Sequence, residues 1–167
     1  ESISLYWSLC KEGGISEGSS ALQNIDSWFN MTDPQLPSPI LTSSCLYYKP
    51  ILDPEDLNNW LMLILSTPKQ QEMAWKYVHH HQVLMDGTFS VCSSAILIFF
   101  LMAIDKYNIG ILTATIIFTL KQDAKAAHAS YDNAILKDVL ACWKAGMGVH
   151  NSKTIQIGLG NTDNDKC

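Results

Sequence analysis

The polarity pattern divides the chain into an irregular start and a regular second half. Three apolar runs at 82–91, 95–104 and 109–120 follow one another with short polar breaks. The third is rich in Ile and Thr, as strands are, and the links are short enough to make the three a meander. Tyr107-Asn108-Ile109-Gly110 supplies the second turn. The unbroken run at 95–104 predicts cover on both faces, or one face strongly covered. After the polar, alanine-rich stretch 121–127, a helix is expected to about Met147. Leu136, Val139, Leu140, Trp143 and Met147 recur there at three- and four-residue steps, with Gly146 and Gly148 as stop signals. A fourth short strand is expected at 154–159. Gly158 and Gly160 weaken it, and it empties into Asn161-Thr162-Asp163-Asn164-Asp165.

The start is less regular. Leu5, Trp7 and Leu9 alternate weakly, and the Gly and Ser clusters that follow read as loop. Residues 21–29 suit a short helix burying Leu22, Ile25, Trp28 and Phe29, and Pro34, Pro37 and Pro39 mark a connector. A short strand is expected at 45–49, with a second apolar run at 60–65. Thr67-Pro68-Lys69-Gln70 then opens a helix: Thr as N-cap, Pro in the first turn, Gln three residues after the cap. The organisation expected is an irregular and helical segment 1–44, a lead-in of short strands and a helix at 45–81, and a core at 82–167.

Composition narrows the function. The chain has 167 residues, 47% hydrophobic, which suits one globular domain. Its net charge is −5 and all eleven basic residues are lysine. Bidentate arginine recognition of bases or phosphates is therefore excluded, and DNA binding would lean on metal ions or on parts of a longer protein. The five cysteines, Cys10, Cys45, Cys92, Cys142 and Cys167, are widely spaced without a Cys-x-x-Cys, which argues against a disulfide framework or a zinc ribbon. Asn30-Met31-Thr32 is a sequon, meaningful only in a secreted protein, and the start lacks the basic-then-apolar pattern of a signal peptide. Residue 1 is Glu, not Met, a start expected of an excerpt or of a broken reading frame. A membrane hairpin built from 95–104 and 109–120 ranks last, because each run is about half the ~20 residues of a span and Asp105-Lys106 would enter lipid.

Asp86 is the central chemical candidate. It interrupts the apolar sequence Val83-Leu84-Met85, where an unpaired carboxylate is costly, and Gly87 allows close approach of a ligand. One reading makes it a metal-binding carboxylate at the centre of a sheet. The other makes Asp86-Gly87 a type I′ hairpin turn at the surface. Three consecutive histidines, His79-His80-His81, point in different directions and read as a polar helix exit rather than one metal site. The order strand, strand, strand, helix, strand favours the metal reading. In the ribonuclease H architecture the fourth strand lies parallel beside the first, which would bring Asp86 and Asp163 together for a divalent cation.

At these residues a family resemblance enters. Met85-Asp86-Gly87-Thr88-Phe89, the block from Asp123-Ala124-Lys125-Ala126 through His128-Ala129-Ser130-Tyr131-Asp132, and Thr162-Asp163-Asn164-Asp165 resemble the catalytic region of Mutator-like element transposases, in a form common in fungi. Ser66-Thr67-Pro68 through Ala74-Trp75-Lys76-Tyr77 is similar too, so the likeness covers about 45–167. It implies an α/β, ribonuclease H-like mixed sheet, truncated, and a DDE-type nuclear enzyme. Such enzymes cut DNA at transposon ends and join the freed 3′ hydroxyl to a target phosphate. By the resemblance Asp86 and Asp163 are the first two catalytic acids and hold two Mg²⁺ or Mn²⁺ ions, one activating the attacking oxygen and one stabilising the leaving oxygen. Asp165 is the alternative ligand. Asp105, Asp132 and Asp138 are expected in turns or on helix surfaces. The implied partners are transposon-end and target DNA, a second copy of the chain is allowed, and no membrane is implied. The family's third acid, a Glu on a later helix, is expected beyond Cys167. The competing expectation is a catalytically inactive transposon remnant or a domesticated binding protein.

Overall fold

The computed structural model describes residues 21–29, 39–50, 60–88, 96–119 and 133–158. Two helices come first, α1 (Ala21–Phe29) and α2 (Pro39–Ser44), then strands β1 (Cys45–Lys49) and β2 (Met62–Leu65). Helix α3 (Pro68–Tyr77) leads to the strands β3 (Leu84–Thr88), β4 (Ile96–Ile104) and β5 (Gly110–Thr119). Helix α4 (Asn133–Gly146) and a small hairpin, β6 (Val149–His150) with β7 (Lys153–Thr154), complete the described elements.

The expected meander forms: β3 pairs with β4, and β4 with β5. The strands of the lead-in join the same sheet, on the far side of β5, giving the order β1-β2-β5-β4-β3 with every neighbouring pair antiparallel. The architecture is thus mixed α/β around one five-stranded sheet. β3 lies at one edge, and its outer side is not paired among the described residues.

The α3 start follows its sequence signal closely. Thr67 Oγ1 accepts the Gln70 N–H at 3.3 Å, and Gln70 Oε1 accepts the Thr67 N–H at 2.8 Å, so two otherwise orphaned donors are satisfied. Ala74 and Val78 on the inner face are fully buried against the sheet. Across the same face lies the α4 stripe Val139, Trp143 and Met147, over Leu97, Phe99, Leu101 and Ala103 of β4 and Ala114, Ile116 and Phe118 of β5. Gly146 closes α4 where a Cβ would stand 2.8 Å from the Leu46 Cβ, and Gly148 then takes φ 62°, the left-handed helix stop glycine supplies.

The second face is covered unevenly. At its β1–β2 end Phe29 of α1 packs with Leu61 and Leu63, and the Tyr48 hydroxyl donates to Asp26 at 2.6 Å. At the β3–β4 end Leu84, Ile104 and Leu112 remain exposed. Over its described residues 96–104 the apolar run is therefore strongly covered on one face and half open on the other, not buried on both. A β-bulge lies in the middle of this sheet. Leu101 pairs with Ala114 but Met102 with Leu112, leaving Thr113 as the extra residue. Its buried hydroxyl donates to the Leu101 carbonyl at 2.9 Å, and its own carbonyl accepts from Ser66 Oγ at 2.7 Å.

Candidate functional site

Asp86 lies mid-strand in β3, opposite Phe100 of β4, so the hairpin-turn reading does not hold. The expectation of a carboxylate enclosed by apolar cover is also corrected: Asp86 is exposed. The physical reason is strand alternation at a sheet edge. Val83 and Met85 point to the helix-covered core, while Leu84 and Asp86 point to the open face. The charge is tolerated because water reaches it, and no cation is required to explain its presence. Among the described residues its carboxylate has no hydrogen bond or ion pair.

The chain returns to residues 79–81, just before β3. The expected fourth strand at 154–159 does not form over its described part: after the hairpin β6–β7, residues 155–158 carry only an isolated bridge, and residue 159 lies outside the described residues. Asn151 and Ser152, with φ 50° and 62°, form its tight turn. Ile157 then bridges His79 in antiparallel geometry, and the His80 N–H donates to the Gln156 carbonyl at 2.8 Å. His80 takes φ 64°, which redirects the chain, and the next contact is Gly158 N–H to the His81 carbonyl at 2.8 Å. A Cβ on Gly158 would stand 2.7 Å from the His80 carbonyl oxygen. Gly158, expected to weaken a strand, is the residue that lets the two backbones meet.

The histidines gather where this approach occurs. The His79 Nδ1 accepts the Gln156 N–H at 3.1 Å. The Trp75 ring centroid is 5.3 Å from those of both His79 and His150, and His80 lies 3.9 Å from His79. Partial removal from water, then the positive potentials of His80, Lys153, His150 and His81, hold His79 below the usual histidine range. The sequence reading as a polar helix exit stands, but it missed this clustering, because His150 arrives through the β6–β7 turn. Among the described residues no three His, Cys, Asp or Glu side chains could share a metal ion.

Asp163 and Asp165 lie outside the described residues, as do Asp132 and the block 123–132. Asp105 is a turn residue as expected: its Oδ1 accepts the N–H groups of Tyr107 and Ile109, both at 2.8 Å. Asp138 is exposed on α4. Cys45 and Cys142 are free thiols, and no helix among the described residues is long and apolar enough to cross a membrane.

No protein-family model, curated protein or solved structure matches this chain.

Proposed function

We propose that the chain is part of the catalytic region of a DDE-type, Mutator-like DNA transposase with a ribonuclease H-like core, in which Asp86 and Asp163 hold divalent metal. One observation carries the reading. Gly158 and His81 are joined by a backbone hydrogen bond, and each stands five residues before its aspartate. A chain that turns at Gly158 and follows the unpaired side of β3 would bring residue 163 into the neighbourhood of residue 86. The meander, with an acid in its first strand and a helix after its third, agrees with that course.

Asp86 suits a magnesium ligand. It offers a hard oxygen donor, water reaches it, and no partner among the described residues competes for it. Mg²⁺ keeps several of its waters and needs only one or two carboxylates besides substrate phosphates. Bound there, the ion would polarise a phosphodiester and make a bound water or hydroxyl a better nucleophile. The chain's part is to present Asp86 from a strand fixed by β4 and to bring the returning segment to residues 79–81, which lead into that strand. The basic residues are lysines alone, which contact phosphates as point charges.

The test is a Mn²⁺ titration of the 167-residue chain followed by paramagnetic broadening of amide signals. Broadening centred on residues 86 and 163, competed by Mg²⁺ and lost in both Asp86→Asn and Asp163→Asn, supports the reading. Binding indifferent to Asp163→Asn overturns the two-acid site. No binding at all favours the non-catalytic remnant.

A further inference from the structure

His79 occupies the junction between the end of α3 and the returning chain. The Val78 and His79 N–H groups both donate to the Ala74 carbonyl, at 2.8 and 3.3 Å, which fixes the backbone from which the imidazole projects. The Trp75 ring centroid lies 5.3 Å from those of both His79 and His150, so the His79 ring has an aromatic neighbour as well as a hydrogen-bond partner. That partner is the Gln156 amide. An Nδ1 that accepts is unprotonated, so the neutral ring carries its proton on Nε2. Protonation would set an N–H donor against an N–H donor.

We infer that His79 is a positioning residue: its neutral imidazole latches the Gln156 amide and so holds 156–158 at the head of β3, and its protonation releases that segment.

The surroundings favour release once the proton arrives. His80 and His81 flank the ring on its own segment, Lys76 lies on α3, and His150 and Lys153 face it from the hairpin. Glu72 of α3 lines the same groove, but its carboxylate is held by Lys69 at 2.7 Å. The lowered proton affinity of His79 has the direction expected of a ring that works as an acceptor among cations. The latch stands on this geometry alone. Only its consequence for an active site rests on the two-acid reading, because 156–158 is the chain that leads to Asp163.

Amide hydrogen exchange of the full 167-residue chain, compared at about pH 8 and about pH 5, tests the latch across the histidine range. In the wild type, Gln156 protection should fall by up to about tenfold per pH unit from the ordinary histidine value of 6.5 down to the lower pKa of the latched ring and then level off, while Ile116 in the central sheet stays protected. His79→Asn places an amide oxygen near the position of Nδ1, accepts the same N–H and does not titrate. It should keep Gln156 protected at both pH values. His79→Leu should lose that protection at both, and where it fails to fold, the Asn variant decides. Constant wild-type protection at Gln156, or an equal fall in His79→Asn, overturns the proposal. The Mn²⁺ titration reads the carboxylates at the upper pH, so failure of the metal site leaves this result intact.

Discussion

Gly158 donates its N–H to the His81 carbonyl at 2.8 Å, and the backbones approach so closely that a Cβ on Gly158 would lie 2.7 Å from the His80 oxygen. The obstructing atom is main chain, so rotation of a side chain gives no relief. Gly158→Ala should therefore cost about 1–3 kcal/mol, as other overpacked sites do. A thermal melt checks this, and an unchanged midpoint would mean that the approach at Gly158 is not close.

The pH dependence of stability has a defined sign. His79 binds its proton less readily in the folded chain than at its ordinary value of 6.5. Between the folded pKa and that ordinary value the unfolded chain holds more protons, so stability rises with pH there. The contribution is fully present above about pH 6.5 and is lost as pH falls through the window below it. Urea melts at pH 7.5 and pH 5 should show a smaller drop in His79→Asn than in the wild type; equal drops would place the dependence elsewhere.

The α3 cap is a local test of the fold. Thr67→Ala removes the acceptor of the Gln70 N–H and half of a reciprocal pair. The expected cost is about 1 kcal/mol, with Thr67→Ser close to wild type, measured by urea unfolding. Equal behaviour of Ala and Ser would show that the helix start does not depend on the hydroxyl.

The open end of the sheet bears on solubility. Leu84, Met102 and Leu112 form one cross-strand row, with Leu84 43% and Leu112 37% exposed. An edge strand beside an exposed apolar row favours association. Leu84→Lys with Leu112→Lys should reduce light scattering at equal concentration and leave the melting midpoint nearly unchanged. Unchanged scattering would mean that this row does not drive association.

What was legible in the sequence was local. The Thr67–Gln70 cap, the α4 stripe and the β3–β4–β5 meander depend on residues near one another, and each took its expected form. Helix α2 was hidden because Pro39 read as connector, although proline suits a first helical turn. The β6–β7 turn was missed because Asn151-Ser152 lacks the glycine that usually marks such turns. The placement of β1 and β2 on β5 depends on nonlocal pairing, which no short pattern announces. At Asp86 the apolar neighbours in sequence suggest a surrounding apolar shell, but in a strand they alternate, and the carboxylate faces the open side.

The bond between Gly158 and His81 also governs when the candidate site can assemble. The meander closes through short connections, whereas this contact joins segments 77 residues apart, as does the neighbouring His79–Gln156 pair. Closing so long a loop carries a larger chain-entropy cost, which the sheet must already be in place to offset. The returning segment should therefore dock late in folding, onto residues 79–81 that lead into β3, and should detach by thermal fluctuation before the sheet itself comes apart.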